Sequence, residues 1–75
     1  GRTTGLLVVG VEAGGAAERA GILIGDLLLE AEETVLERPA DLRGVIERRP
    51  RSAHVRLLVL RAGGVTVVDV VAARE

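Results

Sequence analysis

Apolar runs separated by glycine, proline and charged residues divide the chain into short elements. Residues 6–11 are apolar on both sides and contain three β-branched valines, as in a strand covered on both faces. Three further segments are similarly apolar or alternate apolar with polar positions, namely residues 27–31, 54–61 and 65–71. A brief apolar stretch lies at residues 34–36. The pattern therefore predicts four strands and a short fifth one.

The first helix is predicted at residues 16–20, which are good helix formers. Gly21 then ends it, because the position after a helix commonly needs a positive φ, which glycine adopts without a steric clash. Gly25 is a second such position, and we expect Asp26 to accept hydrogen bonds from nearby backbone N–H groups. The loop between the two glycines is so apolar that part of it must lie in the core.

A second, longer helix is predicted between two prolines. Pro39 suits a first helical turn, Asp41 lies near the positive end of the helix dipole, and Pro50 ends the helix. Gly44 in the middle costs about 1 kcal/mol relative to alanine, so we expect another backbone to approach closely there. One stripe at i, i+3, i+4 and i+7 spacing runs along the helix: Leu42, Val45, Ile46 and Arg49.

Composition and charge argue against several kinds of function. The chain has 75 residues, enough for one domain, a net charge of −1 and no cysteine. It therefore lacks an electrostatic attraction for nucleic acid or anionic lipid, and it lacks thiolate ligands for a metal. No apolar run approaches the ~20 residues of a membrane span. Several residue types are missing, including all aromatic ones, which leaves deliberate simplification of the sequence open.

No set of side chains has the pattern of a catalytic or metal site. Ser52 and His54 are two residues apart, whereas nucleophilic catalysis needs a fixed hydrogen bond with an orienting acid behind it. Glu30, Glu32 and Glu33 lack the spacing and the glycine of a calcium loop, and we interpret them as a solvated edge. We therefore predict a protein that is not an enzyme, with no catalytic residue, no metal and no cofactor.

Five segments follow one another along the chain: Gly5-Leu6-Leu7-Val8-Val9-Gly10-Val11, Ala16-Ala17-Glu18-Arg19-Ala20-Gly21, Gly25-Asp26-Leu27-Leu28-Leu29, Pro39-Ala40-Asp41-Leu42 and Val55-Arg56-Leu57-Leu58-Val59-Leu60-Arg61. Their order resembles that of a PDZ domain, most closely the bacterial PDZ domains of high-temperature-requirement trypsin-like serine proteases. The resemblance covers nearly the whole chain. It implies a small α+β fold, with a mostly antiparallel, partly closed sheet and one short and one longer helix.

One turn departs from the family pattern. After the strand that corresponds to residues 27–31 the family has Asp-Gly or Asn-Gly, whereas this chain has Glu32-Glu33-Thr34. We therefore expect a looser connection here instead of a tight turn with positive φ.

The resemblance also implies a groove. In PDZ domains a peptide C-terminus adds as a strand beside the second helix, the binding mode called β-augmentation. The residues expected to form the peptide groove are Leu42, Val45, Ile46, Arg49, Leu6, Leu7 and Val8. Leu42 and Ile46 fit an ordinary core equally well, so this alternative stays open.

The part of the family pattern that receives the peptide carboxylate has no match in this chain. In the protease-attached family it is an apolar-glycine loop, followed by the strand on which the peptide pairs, and both would precede Gly5. We therefore expect one PDZ-like domain over residues 1–75, truncated at its N-terminus and lacking that first strand. The edge from Gly5 to Val11 would then be unpaired, which predicts self-association through it and weak binding of free peptide C-termini.

The leading hypothesis is a regulatory or substrate-recognition module of a bacterial serine protease, with the catalytic residues in another domain. Its partners would be peptide or unfolded-protein C-termini, with no nucleic acid and no membrane. The alternative is a structural or designed core with a simplified alphabet and no ligand. The compartment is unknown from the sequence, and it would be the periplasm or another extracytoplasmic space if the chain is attached to such a protease.

Overall fold

The computed structural model describes residues 4–49 and 54–71, so Pro50 and Ser52 lie outside the described residues. The elements in chain order are β1 (Leu6–Leu7), α1 (Ala16–Ala20), β2 (Leu27–Ala31), β3 (Thr34–Val35), α2 (Pro39–Glu47), β4 (His54–Arg61) and β5 (Gly64–Val71). The predicted α+β fold with a short and a longer helix is confirmed.

β1 is shorter than the predicted strand at residues 6–11. The regular ladder joins Leu6 to Leu28 and Leu7 to Leu27. At Val8 the pairing passes to the corner after α1, where the Val8 N–H donates to the Asp26 carbonyl and the Gly25 N–H donates to the Val8 carbonyl, both at 2.8 Å. The corner therefore ends the regular ladder with β2 after two residues.

Every strand pairing among the described residues is antiparallel. The sheet order is β1-β2-β4-β5, and β3 pairs with the far end of β2. β4 and β5 pair over their full lengths, while β2 and β4 have a register shift between Leu28 and Glu30. The expected partial closure is not found: the described sheet is open, with β1 and β5 at opposite ends of its order.

The core is wholly aliphatic and lies on one face of the sheet. Alternate residues of β4, namely Val55, Leu57 and Val59, are buried. The other buried apolar residues are Ile22, Leu28, Ala31, Leu36, Val45 and Val70. The alanines of α1 and the apolar stripe of α2 pack against this cluster. Such a core excludes water by interdigitating branched side chains, without ring stacking.

Two glycines predicted to need a positive φ have it. Gly21 has φ 92° at the C-terminus of α1, and Gly25 has φ 97° before β2. The N–H of Gly21 donates to Glu18 O at 3.1 Å and that of Ile22 to Ala17 O at 3.0 Å, which satisfies carbonyls at the end of the helix.

The expectation of a loose connection after β2 is wrong. Glu32 and Glu33 have φ 49° and 70°, and they form a tight two-residue turn that joins the paired residues Ala31 and Thr34. The left-handed conformation costs about 1–2 kcal/mol for each such residue. A tertiary contact offsets part of this cost, because the Glu32 N–H donates to the Arg56 carbonyl at 2.9 Å and the Glu32 Oε2 accepts from the Arg56 N–H at 2.7 Å.

The interpretation of Gly44 is also wrong. A Cβ atom built at Gly44 would meet only the Arg48 Nη1 atom, at 3.8 Å, among the described residues outside its own helix backbone. No neighbouring backbone in this part of the chain requires glycine there. A close backbone approach occurs instead at Gly5, where a Cβ atom would lie 2.7 Å from the Leu28 carbonyl oxygen of β2.

Candidate functional site

An apolar groove of about 450 Å³ lies between α2 and the segment that contains β1. Leu42 and Ile46 line it from α2, and Leu7 and Val8 line it from the β1 side. The remaining lining residues come from the end of the β1 segment, from α1 and from the core: Val9, Gly10, Ala16, Ala17, Ile22, Leu28, Val55, Leu57 and Val70. Every lining side chain is aliphatic, so the groove suits apolar groups.

The start of α2, which lines one side of the groove, is capped by Asp41. The Asp41 Oδ2 atom accepts from the N–H groups of Glu37 at 2.9 Å and Arg38 at 3.0 Å. These two backbone hydrogen bonds lower the pKa of Asp41. Leu42 and Ile46 lie one turn apart on the groove side, while Val45 is buried and anchors the helix to the core.

The edge of β1 beside this groove is free of any paired strand among the described residues. In an antiparallel ladder, successive residues direct their backbone groups alternately toward and away from the neighbouring strand. The Val8 backbone groups bond to Asp26 and Gly25 on the β2 side, so the N–H and C=O of Leu7 point away from β2. Leu7 is also 61% exposed. The groove is therefore flanked by backbone groups that can accept another strand.

A polar corner holds the opposite side of Val8. Asp26 is only 2% exposed, and its carboxylate accepts from the Arg61 Nε at 2.9 Å, from the Arg61 Nη2 at 2.6 Å and from the Leu23 N–H at 2.8 Å. The Arg61 Nη2 also donates to the Gly21 carbonyl at 2.9 Å. One guanidinium thus ties the loop after α1 to the end of β4.

These contacts shift the acidity of both partners. The hydrogen bonds from Arg61, more than that from Leu23, lower the pKa of Asp26 below its ordinary value, against the opposing effect of burial. The same pairing raises the pKa of Arg61. The pair therefore stays ionised. It holds the loop that contains Ile22 and the corner to which Val8 bonds, and both of these residues line the groove.

The structure separates the seven predicted groove residues into two groups. Leu42, Ile46, Leu7 and Val8 line the groove. The other three are Leu6, Val45 and Arg49, which do not line it.

Each of these three has another position. Leu6 pairs with Leu28 and packs against the core, where Val45 is buried. The Arg49 Nη2 donates to the His54 carbonyl at 3.0 Å, and its Nη1 lies 3.9 Å from the Glu32 Oε1. Arg49 therefore joins the end of α2 to β4 and the turn after β2.

The sequence patterns did not predict several contributors to the site. The pairing of Asp26 with Arg61 spans 35 positions, and the only signal was a charged residue ending the alternating strand β4. Val9 and Gly10 line the groove after the regular ladder has ended. The apolar loop at Ile22, by contrast, was predicted to enter the core, and it does.

The described residues contain no group of three or more histidine, cysteine, aspartate or glutamate side chains placed to hold a metal ion. His54 is exposed at the start of β4. None of the helices in the described residues is long and apolar enough to cross a membrane.

Comparison with known proteins shows what this chain is similar to. The family model of the PDZ domain matches residues 7–61. The Na(+)/H(+) exchange regulatory cofactor NHE-RF1 of Gallus gallus is 45% identical over 51 residues, which are 68% of this chain and 15% of that protein. A solved structure of an HtrA-type protease, an AlgW variant with a decapeptide, aligns with a TM-score of 0.85 and 26% identity, over 97% of this chain and 22% of that one. The chain thus spans less than a quarter of each relative.

Proposed function

The chain belongs to the PDZ domain family, whose members are peptide-binding modules, and we propose that it binds peptide C-termini by β-augmentation at the edge of β1. One observation carries this proposal. The Leu7 N–H and C=O point away from β2, beside an apolar groove that Leu42 and Ile46 line from the other side. Backbone donors and acceptors next to an apolar groove are what an added strand requires.

Each side of the groove has its own part in binding. The peptide backbone exchanges hydrogen bonds with Leu7, which gives affinity for any extended segment. Because strand side chains alternate between faces, every second peptide side chain points toward α2. The lining is aliphatic, so a polar side chain there would lose its hydration without a partner, and apolar side chains are selected.

We further propose that the module serves a bacterial protease of the HtrA type, as a regulatory or substrate-recognition domain. The alignment with such a protease over 97% of this chain supports this parent. The catalytic residues would then lie outside this domain, and the protein would be extracytoplasmic. The identity to NHE-RF1, a protein named as a regulatory cofactor, supports a second candidate, a binding module of a regulatory cofactor.

Two alternatives use the same surface differently. A structural or designed core would have the groove but no ligand. Self-association through the edge from Gly5 to Val11 would occupy the backbone groups that the peptide needs, so it would compete with peptide binding. Both alternatives predict weak or absent binding of free C-termini at concentrations where the chain associates.

The experiment is a calorimetric titration with a pool of decapeptides that have free C-termini and varied apolar residues, followed by single peptides. Leu42→Ala and Ile46→Ala should each weaken binding by about tenfold, as expected for central interface residues. The matched control is Arg43→Ala, an exposed position on the same helix that does not line the groove. Amidated peptides show whether the carboxylate is recognised.

Three outcomes would count against the proposal. They are no binding by any peptide, equal effects of Leu42→Ala and Arg43→Ala, and equal affinity for free and amidated peptides. Thermal melting of each variant identifies any loss of folding, since Leu42 and Ile46 also pack against the core.

A further inference from the structure

β5 is a second free edge of the sheet, at the end opposite β1. It has eight residues, pairs with β4 on one side, and pairs with no strand of the described residues on the other. The two-residue turn at Ala62 and Gly63 makes Arg61 and Gly64 the closing pair of this hairpin. The backbone groups of Gly64 therefore bond to β4, and along the strand every second residue does the same. The N–H and C=O groups of Val65 and Val67 point outward, away from β4.

This edge lacks the usual features that prevent strands from pairing. β5 has no proline, its ladder with β4 has no register shift, and Asp69 is its only charged residue. Val65 and Val67 are 59% and 57% exposed. A long, regular, apolar edge of this kind is a template for another strand.

α1 limits which part of the edge is accessible. Ala16, Arg19 and Ala20 of α1 line one cavity together with Asp69 and Val71, so the helix lies beside the C-terminal half of β5. The free segment is therefore residues 64–68. Any partner must pair within these five positions.

We propose that residues 64–68 pair antiparallel with the same segment of a second copy, about a two-fold axis at Thr66. In this register Val65 faces the partner's Val67, both with outward backbone groups, and each such pair exchanges two hydrogen bonds. The two Thr66 residues face each other, a favourable cross-strand pair, and no like charges are opposed.

The sequence of the segment favours this register over its neighbours. An axis at Val67 or Val68 would draw Asp69 or Val71 into the pairing, where α1 lies. An axis at Asp69 would oppose two carboxylates, which is destabilising. The axis at Thr66 alone pairs all five residues of the free segment with one another, and it places Val65 opposite Val67. Since β1 lies at the other end of the sheet, both grooves stay open in the dimer.

Cysteine cross-linking tests the register directly, because the chain has no cysteine of its own. Thr66→Cys should form a disulfide-linked dimer under mild oxidation, since the Cα atoms of such a pair lie about 4.5 Å apart. Val65→Cys is the matched control on the same strand. Its two copies would be separated by more than about 7 Å, which is too far for a disulfide.

Paired charge changes test the same interface without a covalent bond. Val65→Lys with Val67→Lys should weaken association by about tenfold or more, because lysines then face lysines across the axis. The variant with Val65→Glu and Val67→Glu should also associate weakly with itself. A mixture of the lysine and glutamate variants should form dimers again, because opposite charges then face each other, and sedimentation measures this. Both positions are largely exposed, so the fold should tolerate them.

The proposal fails if the parent chain is monomeric at millimolar concentration, or if both cysteine variants cross-link equally. It also fails if association persists unchanged in the charge variants, which would place the contact elsewhere, as at the edge from Gly5 to Val11.

Discussion

The corner around Asp26 and the groove beside β1 lie on opposite sides of Val8, and they satisfy their polar groups in opposite ways. In the corner, Arg61 and the Leu23 N–H bond the buried carboxylate, and the Val8 N–H and C=O have backbone partners. At the groove, the Leu7 backbone faces an apolar cleft with no strand beside it in the described residues. The satisfied corner fixes the position of the edge, and the unsatisfied edge is where a ligand can add.

The largest expected effect comes from breaking the corner. Arg61→Leu leaves the Asp26 carboxylate buried without its cation and should lower the free energy of unfolding by about 2–3 kcal/mol. This is less than the 3–5 kcal/mol of a fully buried pair, because the Arg61 side chain is 33% exposed. Urea denaturation measures it. Arg56→Leu, at an exposed position on the same strand, should change stability far less, and equal losses would contradict the account.

The next prediction tests the backbone conformation of the corner separately from its charged side chains. Gly25→Val should cost more than about 1 kcal/mol, because Gly25 has φ 97° and a β-branched residue tolerates that region poorly. Gly10→Val is the control. A Cβ atom meets nothing within 4 Å at either site, but Gly10 has no positive φ. If Gly25→Val melted within about a degree or two of the parent, the corner would need no special dihedral.

These residues also show how much a sequence pattern can predict. The sequence predicted the positive φ of Gly21 and Gly25, an Asp26 bond to a nearby backbone N–H, and the start of α2, because each depends on residues a few positions apart. Local patterns were sufficient for these features. The stripe that contains Leu42 and Ile46 also follows from helical spacing, but its assignment to a groove rests on the family resemblance.

The remaining features depend on contacts between distant residues. Glu32 adopts a positive φ with help from Arg56, 24 positions away, and Asp26 pairs with Arg61. The helix stripe alone could not tell which of its members faces the core, because that depends on how α2 docks, and Val45 is the one that is buried. The interpretations of the Glu32–Glu33 turn and of Gly44 were wrong because they applied local sequence rules where contacts between distant residues determine the conformation.

A smaller effect concerns the helix that lines the groove. Gly44→Ala should raise the free energy of unfolding by about 1 kcal/mol, because alanine is the better helix former and a Cβ atom there meets only Arg48 Nη1, at 3.8 Å. Ala40→Gly, at an exposed position in the same helix, should shift stability in the opposite direction. A destabilised Gly44→Ala variant would mean that α2 needs glycine at this position after all.

The smallest expected effect is the response of the corner to acid. The folded state lowers the pKa of Asp26, so its contribution to stability is present above the unfolded pKa of about 3.9 and is lost as the pH falls through the folded value. Asp41 acts in the same direction. Asp26→Asn should therefore flatten the acid side of the profile of stability against pH, measured by urea denaturation. Asp69→Asn, an exposed position, is the control, and equal profiles for the parent and Asp26→Asn would contradict this account.

The central claim is that a peptide adds as a strand to the edge of β1. Amide hydrogen exchange tests it most directly, on the chain saturated with the decapeptide that binds best in the calorimetric titration. We predict strong new protection of the Leu7 amide, which faces the groove. The Val8 amide already donates to the Asp26 carbonyl at 2.8 Å and should change little, so it is an internal control. Saturating peptide that leaves Leu7 as exchangeable as in the free chain would contradict the claim.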